Sequence, residues 1–184
     1  MTNKDLQKNK EIKISIIDAG KKAMFITIPL DIILFFVYYL INGGYNILEE
    51  PWKIYFIIVS MVIVGFAIHE LLHGIVLSKF SKKSLKEIEY GLDEELLKPY
   101  CICKEKISIK GHIINRAIPI IITGLVPYIV SLIIGNFFVM VSSLCLIFFC
   151  GIDLIVILTI KKEDNSKLIS DEGRQSGYIN YNLQ

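Results

Sequence analysis

The sequence predicts an all-α membrane protein: four transmembrane helices, with a small cytoplasmic β-hairpin between helices 2 and 3. Three observations carry that prediction. Hydrophobic residues make up 53% of the 184, and the mean hydropathy is +0.55, outside the usual range of water-soluble domains. Four apolar runs, at 23–42, 54–80, 117–134 and 137–160, each approach the roughly twenty residues that a helix needs to cross a bilayer. The basic residues gather in alternate connections between those runs.

Taken in order, residues 1–22 form an arm rich in lysine: Lys4, Lys8, Lys10, Lys13, Lys21 and Lys22. The first run is too long for a cleaved leader, and no small-x-small site follows it. The first connection starts at Asn42-Gly43-Gly44 and ends at Pro51, with Glu49 and Glu50 against a single Lys53. Trp52 suits the interface ahead of the second run. The central loop, 81–116, holds Lys82, Lys83, Lys86, Lys98, Lys104, Lys106, Lys110 and Arg116. Gly135-Asn136 makes a tight, uncharged turn between the third and fourth runs. The tail, 161–184, begins with Lys161 and Lys162 and is otherwise polar. The positive-inside rule then places both termini and the central loop in the cytoplasm, around a membrane domain of residues 23–160.

Within the central loop, Lys86 to Gly91 and Tyr100 to Cys103 alternate as half-buried strands do, with Pro99 and the acidic Asp93-Glu94-Glu95 between them. Ile107 to Lys110 reads as a continuation of the second strand. The hairpin reads equally as an exposed edge that offers backbone hydrogen bonds to an extended peptide and as a connecting loop with no binding role. Cys101 and Cys103 share a face of that strand, and no second pair completes a four-ligand zinc site, so packing is expected of them. Cys145 and Cys150 fall inside the fourth run, and no disulfide framework is expected. The lysines flank membrane runs and are interleaved with acids, without an aromatic-basic stripe, so nucleic-acid binding is not expected.

The apolar second run is interrupted by His69-Glu70-Leu71-Leu72-His73. Ionised side chains in hydrocarbon cost roughly 2.5–3.5 kcal/mol each on insertion scales, so such groups mark function. The i, i+4 spacing puts both imidazoles on one helix face, where they can share a metal ion. Glu70 stands beside them, placed to take a proton from a metal-bound water. A catalytic zinc needs a third protein ligand and an open position. At about 1.5 Å per residue, His73 lies roughly 10 Å from the cytoplasmic end of its run, and Asp153 lies at a similar depth in the fourth. Asp153 is therefore the first choice as third ligand. Asp31, at comparable depth in the first run, is the competitor, either as a ligand or as an acceptor for the N–H of His69 or His73. It also reads as a carboxylate facing a polar cavity with no metal role. His112, placed in the loop, reads as a solvated histidine.

The His69-Glu70-x-x-His73 helix with Asp153 in a later span resembles the site-2 protease class of intramembrane metalloproteases. It is more similar to a group of small bacterial membrane proteins classed as zincin peptidases, across residues 20–160. In the site-2 pattern a glycine follows the ligand aspartate, whereas Leu154 follows Asp153 here. The resemblance implies a Zn2+ enzyme of the bacterial plasma membrane, with a membrane-protein or peptide substrate. Metal-assisted peptide hydrolysis follows, with zinc on His69, His73 and Asp153 and with Glu70 as general base. Pro119, Gly124 and Pro127 make the third run easy to kink; they read first as helix packing and second as the opening of a lateral substrate path. Two other readings use the same fold: a metal transporter or sensor, and a non-catalytic partner protein.

Overall fold

The computed structural model describes residues 10–13, 16–44, 51–81, 88–93, 98–102, 105, 107–162, 167–171 and 177–182. After strand β1 (Lys10–Lys13) come two long helices, α1 (Ile16–Asn42) and α2 (Pro51–Ser81). Strands β2 (Glu89–Asp93) and β3 (Lys98–Ile102) pair antiparallel, with Tyr90 opposite Cys101 and Leu92 opposite Pro99. The expected hairpin is present, but Pro99 lies inside its second strand rather than between the two. Residues 86, 87, 94, 95 and 103 of the expected hairpin lie outside the described residues.

Ile107–Ser108 does not extend that hairpin. It forms β4, which pairs with β5 (Lys167–Asp171) of the tail. The chain then turns at once into α3 (Ile109–Pro119), because the Ser108 side chain caps the helix by accepting from the Gly111 N–H at 3.1 Å. The central loop is therefore shorter than expected, and 109–116 belongs to the third helix. That helix continues through a π-helical stretch, Ile120–Leu125, into α4 (Val126–Ile134). Pro119 and Pro127 flank this stretch, so what was expected as a kink is a change of winding.

Gly135 ends α4 in the left-handed region at φ 66°, a conformation that costs little only for glycine. Asn136 then caps α5 (Phe137–Phe149) by accepting from the Val139 N–H. The fourth run is not one straight span. It breaks at Cys150, where α5 and α6 (Gly151–Ile160) meet at 41°. The tail is more than a polar extension: β5 and β6 (Gly177–Asn182) join β1 and β4 in a four-stranded antiparallel sheet of order β1-β6-β5-β4. The arm and the tail are thus tied together by backbone hydrogen bonds.

Three helices (18–42, 52–81 and 109–134) are long and apolar enough to cross a membrane, and the bent α5–α6 pair makes a fourth if counted as one span. Burial supports the same reading. The outward faces are hydrocarbon, with Phe25 83% and Leu40 81% exposed, whereas His69, His73, Asn115, Thr123 and Asp153 are buried. Water would penalise that outward surface and lipid would not. On its inner side, α1 presents Ala19, Ala23 and Thr27 to α6, where Gly151 leaves room for Thr27 and Ala23. Further along, Tyr38, Tyr128, Met140 and Ile147 form a second core, and the Tyr128 hydroxyl donates to the Leu34 carbonyl at 2.7 Å. The hairpin seats on α2 where Ile88 and Cys101 pack with Leu77, alongside Ile107 of β4. This is the packing role expected of Cys101.

Candidate metal centre

The two histidines of α2 turn inward between α3, the π-helical stretch and α6. Their rings meet edge to face at 4.7 Å. His73 Nε2 lies 3.1 Å from His69 Nε2, and Asp153 Oδ2 lies 3.2 Å from His69 Nε2 and 3.8 Å from His73 Nε2. The structure thus brings together the three residues expected from the sequence.

The outer nitrogens of both rings are committed. The Thr123 hydroxyl donates to the Pro119 carbonyl at 2.8 Å, so its oxygen must accept from His69 Nδ1–H at 3.2 Å. His73 Nδ1–H donates to the Asn115 side-chain carbonyl, 3.4 Å away. With the protons on Nδ1, each imidazole directs an Nε2 lone pair at the Asp153 carboxylate. Three acceptors facing one another repel unless a cation lies between them. Ligands held about 2.0–2.1 Å from a tetrahedral zinc stand roughly 3.3–3.4 Å apart, which matches the observed triangle. These residues fit a zinc ion by both donor chemistry and spacing.

Arg116 completes the support. Its Nη1 donates to Asp153 Oδ1 at 2.7 Å, which fixes the carboxylate and leaves Oδ2 facing the histidines. Glu70 is half-buried and can form a donor cluster with His69 and His73; a second such cluster joins His69, Cys150 and Asp153. Cys150 Sγ lies 3.3 Å from His69 Nδ1 but 4.0 Å from Nε2, so it neighbours the outer side of the ring. One helical turn beyond Glu70, a Cβ on Gly74 would overlap the Tyr90 hydroxyl. Glycine there admits Tyr90 to the Glu70-bearing face of α2, and burial, with Cys101 and then Glu70 nearby, pushes the Tyr90 phenol up from its ordinary range.

Asp31 takes neither role expected of it near the metal. It belongs to neither donor cluster among the described residues, and the Nδ1 atoms it was expected to hold are taken by Thr123 and Asn115. His112 is not a solvated loop histidine; it is 2% exposed within α3. Sequence reasoning missed Asn115, Arg116 and Thr123. The available signal was helical spacing: 112, 115/116, 119 and 123 fall on one face once the helix is known to start at Ile109. Arg116 had been counted only as a basic membrane flank. Thr123→Val is expected to weaken zinc affinity about 10- to 100-fold, the usual cost of losing such a support. Competition against a chromogenic chelator measures it.

Residues 62–168 match the model of a family described as "Putative zincin peptidase". That stretch contains both histidines, Glu70, Asn115, Arg116, Thr123 and Asp153. No curated protein and no solved structure matches the chain.

Proposed function

From the premise that the chain belongs to this zincin peptidase family and is therefore a zinc metallopeptidase, we propose that it is an intramembrane protease of the site-2 type. It hydrolyses peptide bonds of membrane-associated substrates at the His69-Glu70-x-x-His73 centre. The observation that carries the reading is the convergence of two Nε2 atoms and one carboxylate oxygen on a single point, among helices whose outer surface is hydrocarbon.

His69, His73 and Asp153 would hold the ion, and zinc bound there would supply a Lewis acid that acidifies water and polarises a carbonyl. Thr123 and Asn115 keep both rings in the ligating tautomer, and Arg116 holds Asp153 in place. Glu70 takes the proton of the attacking water and passes it to the leaving amine. Its partial exposure suits a group that must meet substrate, whereas the other three residues are closed off. The wound-out π-helical stretch beside His69 supports a lateral substrate path between the third helix and its neighbours. In this reading both termini and the β-hairpin face the cytoplasm of a bacterial cell, since the basic residues lie on that side.

Both donor clusters among the described residues share His69. They form one centre at one depth, not the ladder of sites that a transporter needs. Removing metal with 1,10-phenanthroline is expected to abolish cleavage of a fluorogenic peptide set, and about one equivalent of zinc to restore it. Cleavage that survives complete metal removal would overturn the proposal.

A further inference from the structure

One polar group inside the spanning region has no part in the metal centre. Asp31 sits on the inward stripe of α1, in line with Ala23 and Thr27, and is half-buried. Its Oδ1 is buried and has no hydrogen-bond partner among the described residues. Its side chain neighbours Cys145 of α5, in the seam between the two helices. A carboxylate at that depth normally pairs with a cation or hydrogen-bond donor. The spans offer no cation to it: no Lys or Arg occurs at 23–52, 54–78 or 117–160, and Arg116 is engaged with Asp153.

The level of Asp31 relative to the metal follows from packing. Gly151 lies against Thr27 and Ala23, where an added Cβ would come within 2.7 Å and 3.0 Å of their side chains. Ile155, one turn further along α6, packs with Ala19 and Ala23, so the two helices run antiparallel. Asp31 is four residues beyond Thr27, and Asp153 is two residues beyond Gly151 in the opposite direction. At 1.5 Å per residue the two carboxylates are separated by roughly 10 Å along the helix axes.

We infer that Asp31 is a docking point for a membrane-spanning polypeptide segment that carries a lysine or arginine at mid-bilayer. The inference rests on the membrane-spanning reading above and names the substrate class for that centre. A segment cut at the metal has its basic residue on the side away from the cytoplasm. The spacing from the cleaved bond is about three residues if the intervening chain is extended and about seven if it is helical. A second copy of this chain does not qualify, since no Lys or Arg lies in the middle of its own spans, at 23–52, 54–78 or 117–160.

The test uses the full chain carrying Glu70→Gln, reconstituted in phosphatidylcholine–phosphatidylglycerol vesicles, so that binding is read without cleavage. The probes are dansyl-labelled peptides of about twenty leucines with a central Lys, Leu or Glu. Energy transfer from Trp52, the single tryptophan, reports binding. The Lys peptide is expected to bind at least tenfold tighter than the Leu peptide, and Asp31→Asn, which keeps the side chain's shape, to erase that difference. Asp31→Lys is expected to turn the preference toward the Glu peptide. Equal binding of Lys and Leu peptides, no binding of either, or a preference that survives Asp31→Asn overturns the inference. Zinc content and hydrolysis by the chain with Glu70 intact are measured separately. A Lys preference in a chain that hydrolyses nothing supports the docking point and refutes the peptidase reading alone.

Discussion

Glu70→Gln is expected to lower peptide hydrolysis by about 10²–10⁴-fold, the usual worth of a positioned general base, while the purified protein keeps its zinc. Glutamine fills the same volume and can still accept a hydrogen bond, but it cannot take a proton near neutral pH. The three proposed ligands are untouched by this change, and their supports on Thr123, Asn115 and Arg116 are independent of Glu70. Zinc stoichiometry by elemental analysis and cleavage of a fluorogenic peptide, measured on the same preparation, separate the two effects. If the variant retains hydrolysis within a few-fold, Glu70 is not the base. If it loses zinc together with activity, Glu70 is a ligand, as its membership of a donor cluster with both histidines allows, and the assignment of Asp153 falls with it.

Much of this centre was legible before any coordinates because its logic is local. The i, i+4 spacing of His69 and His73 fixes a shared face wherever the helix lies, and Asp153 follows from counting residues inward from the membrane ends. The supporting groups were not legible because they depend on where a helix begins. The basic residues between 104 and 116 suggested loop, yet the Ser108 cap starts α3 at Ile109 and turns Asn115 and Arg116 toward α2 and α6. The arm and tail were unreadable for a different reason. The arm's strand pairs with the last strand of the tail, as with Lys10 and Asn180, and β5 reaches back to β4, as with Ile107 and Ile169. Short polar strands leave no periodic signal strong enough to predict such distant partners. The 41° break at Cys150 was likewise hidden. An apolar run without proline gives no sign that two helices share it, although Gly151 stands at the joint.

Asp153→Ala is expected to abolish stoichiometric zinc binding and also to destabilise the fold, and the two effects can be separated. The carboxylate serves two partners at once: Oδ2 faces the histidines, and Oδ1 accepts from Arg116. Arg116 is 17% exposed in its side chain, so removing Asp153 takes from a largely buried guanidinium the carboxylate to which its Nη1 donates. Breaking one side of such a pair costs about 3–5 kcal/mol, much of it the uncompensated charge rather than the lost contact. Replacing Arg116 by methionine in the same chain removes the buried cation and keeps an apolar side chain in its place. The double variant Asp153→Ala/Arg116→Met is therefore expected to recover most of the lost stability in a thermal melt, while zinc stays absent. Recovery of both stability and zinc would mean that Asp153 serves only to neutralise Arg116, leaving the metal to His69, His73 and another donor. Recovery of neither would mean that the carboxylate organises the packing of α6 directly. Only stability without zinc fits a ligand whose second oxygen is held by Arg116.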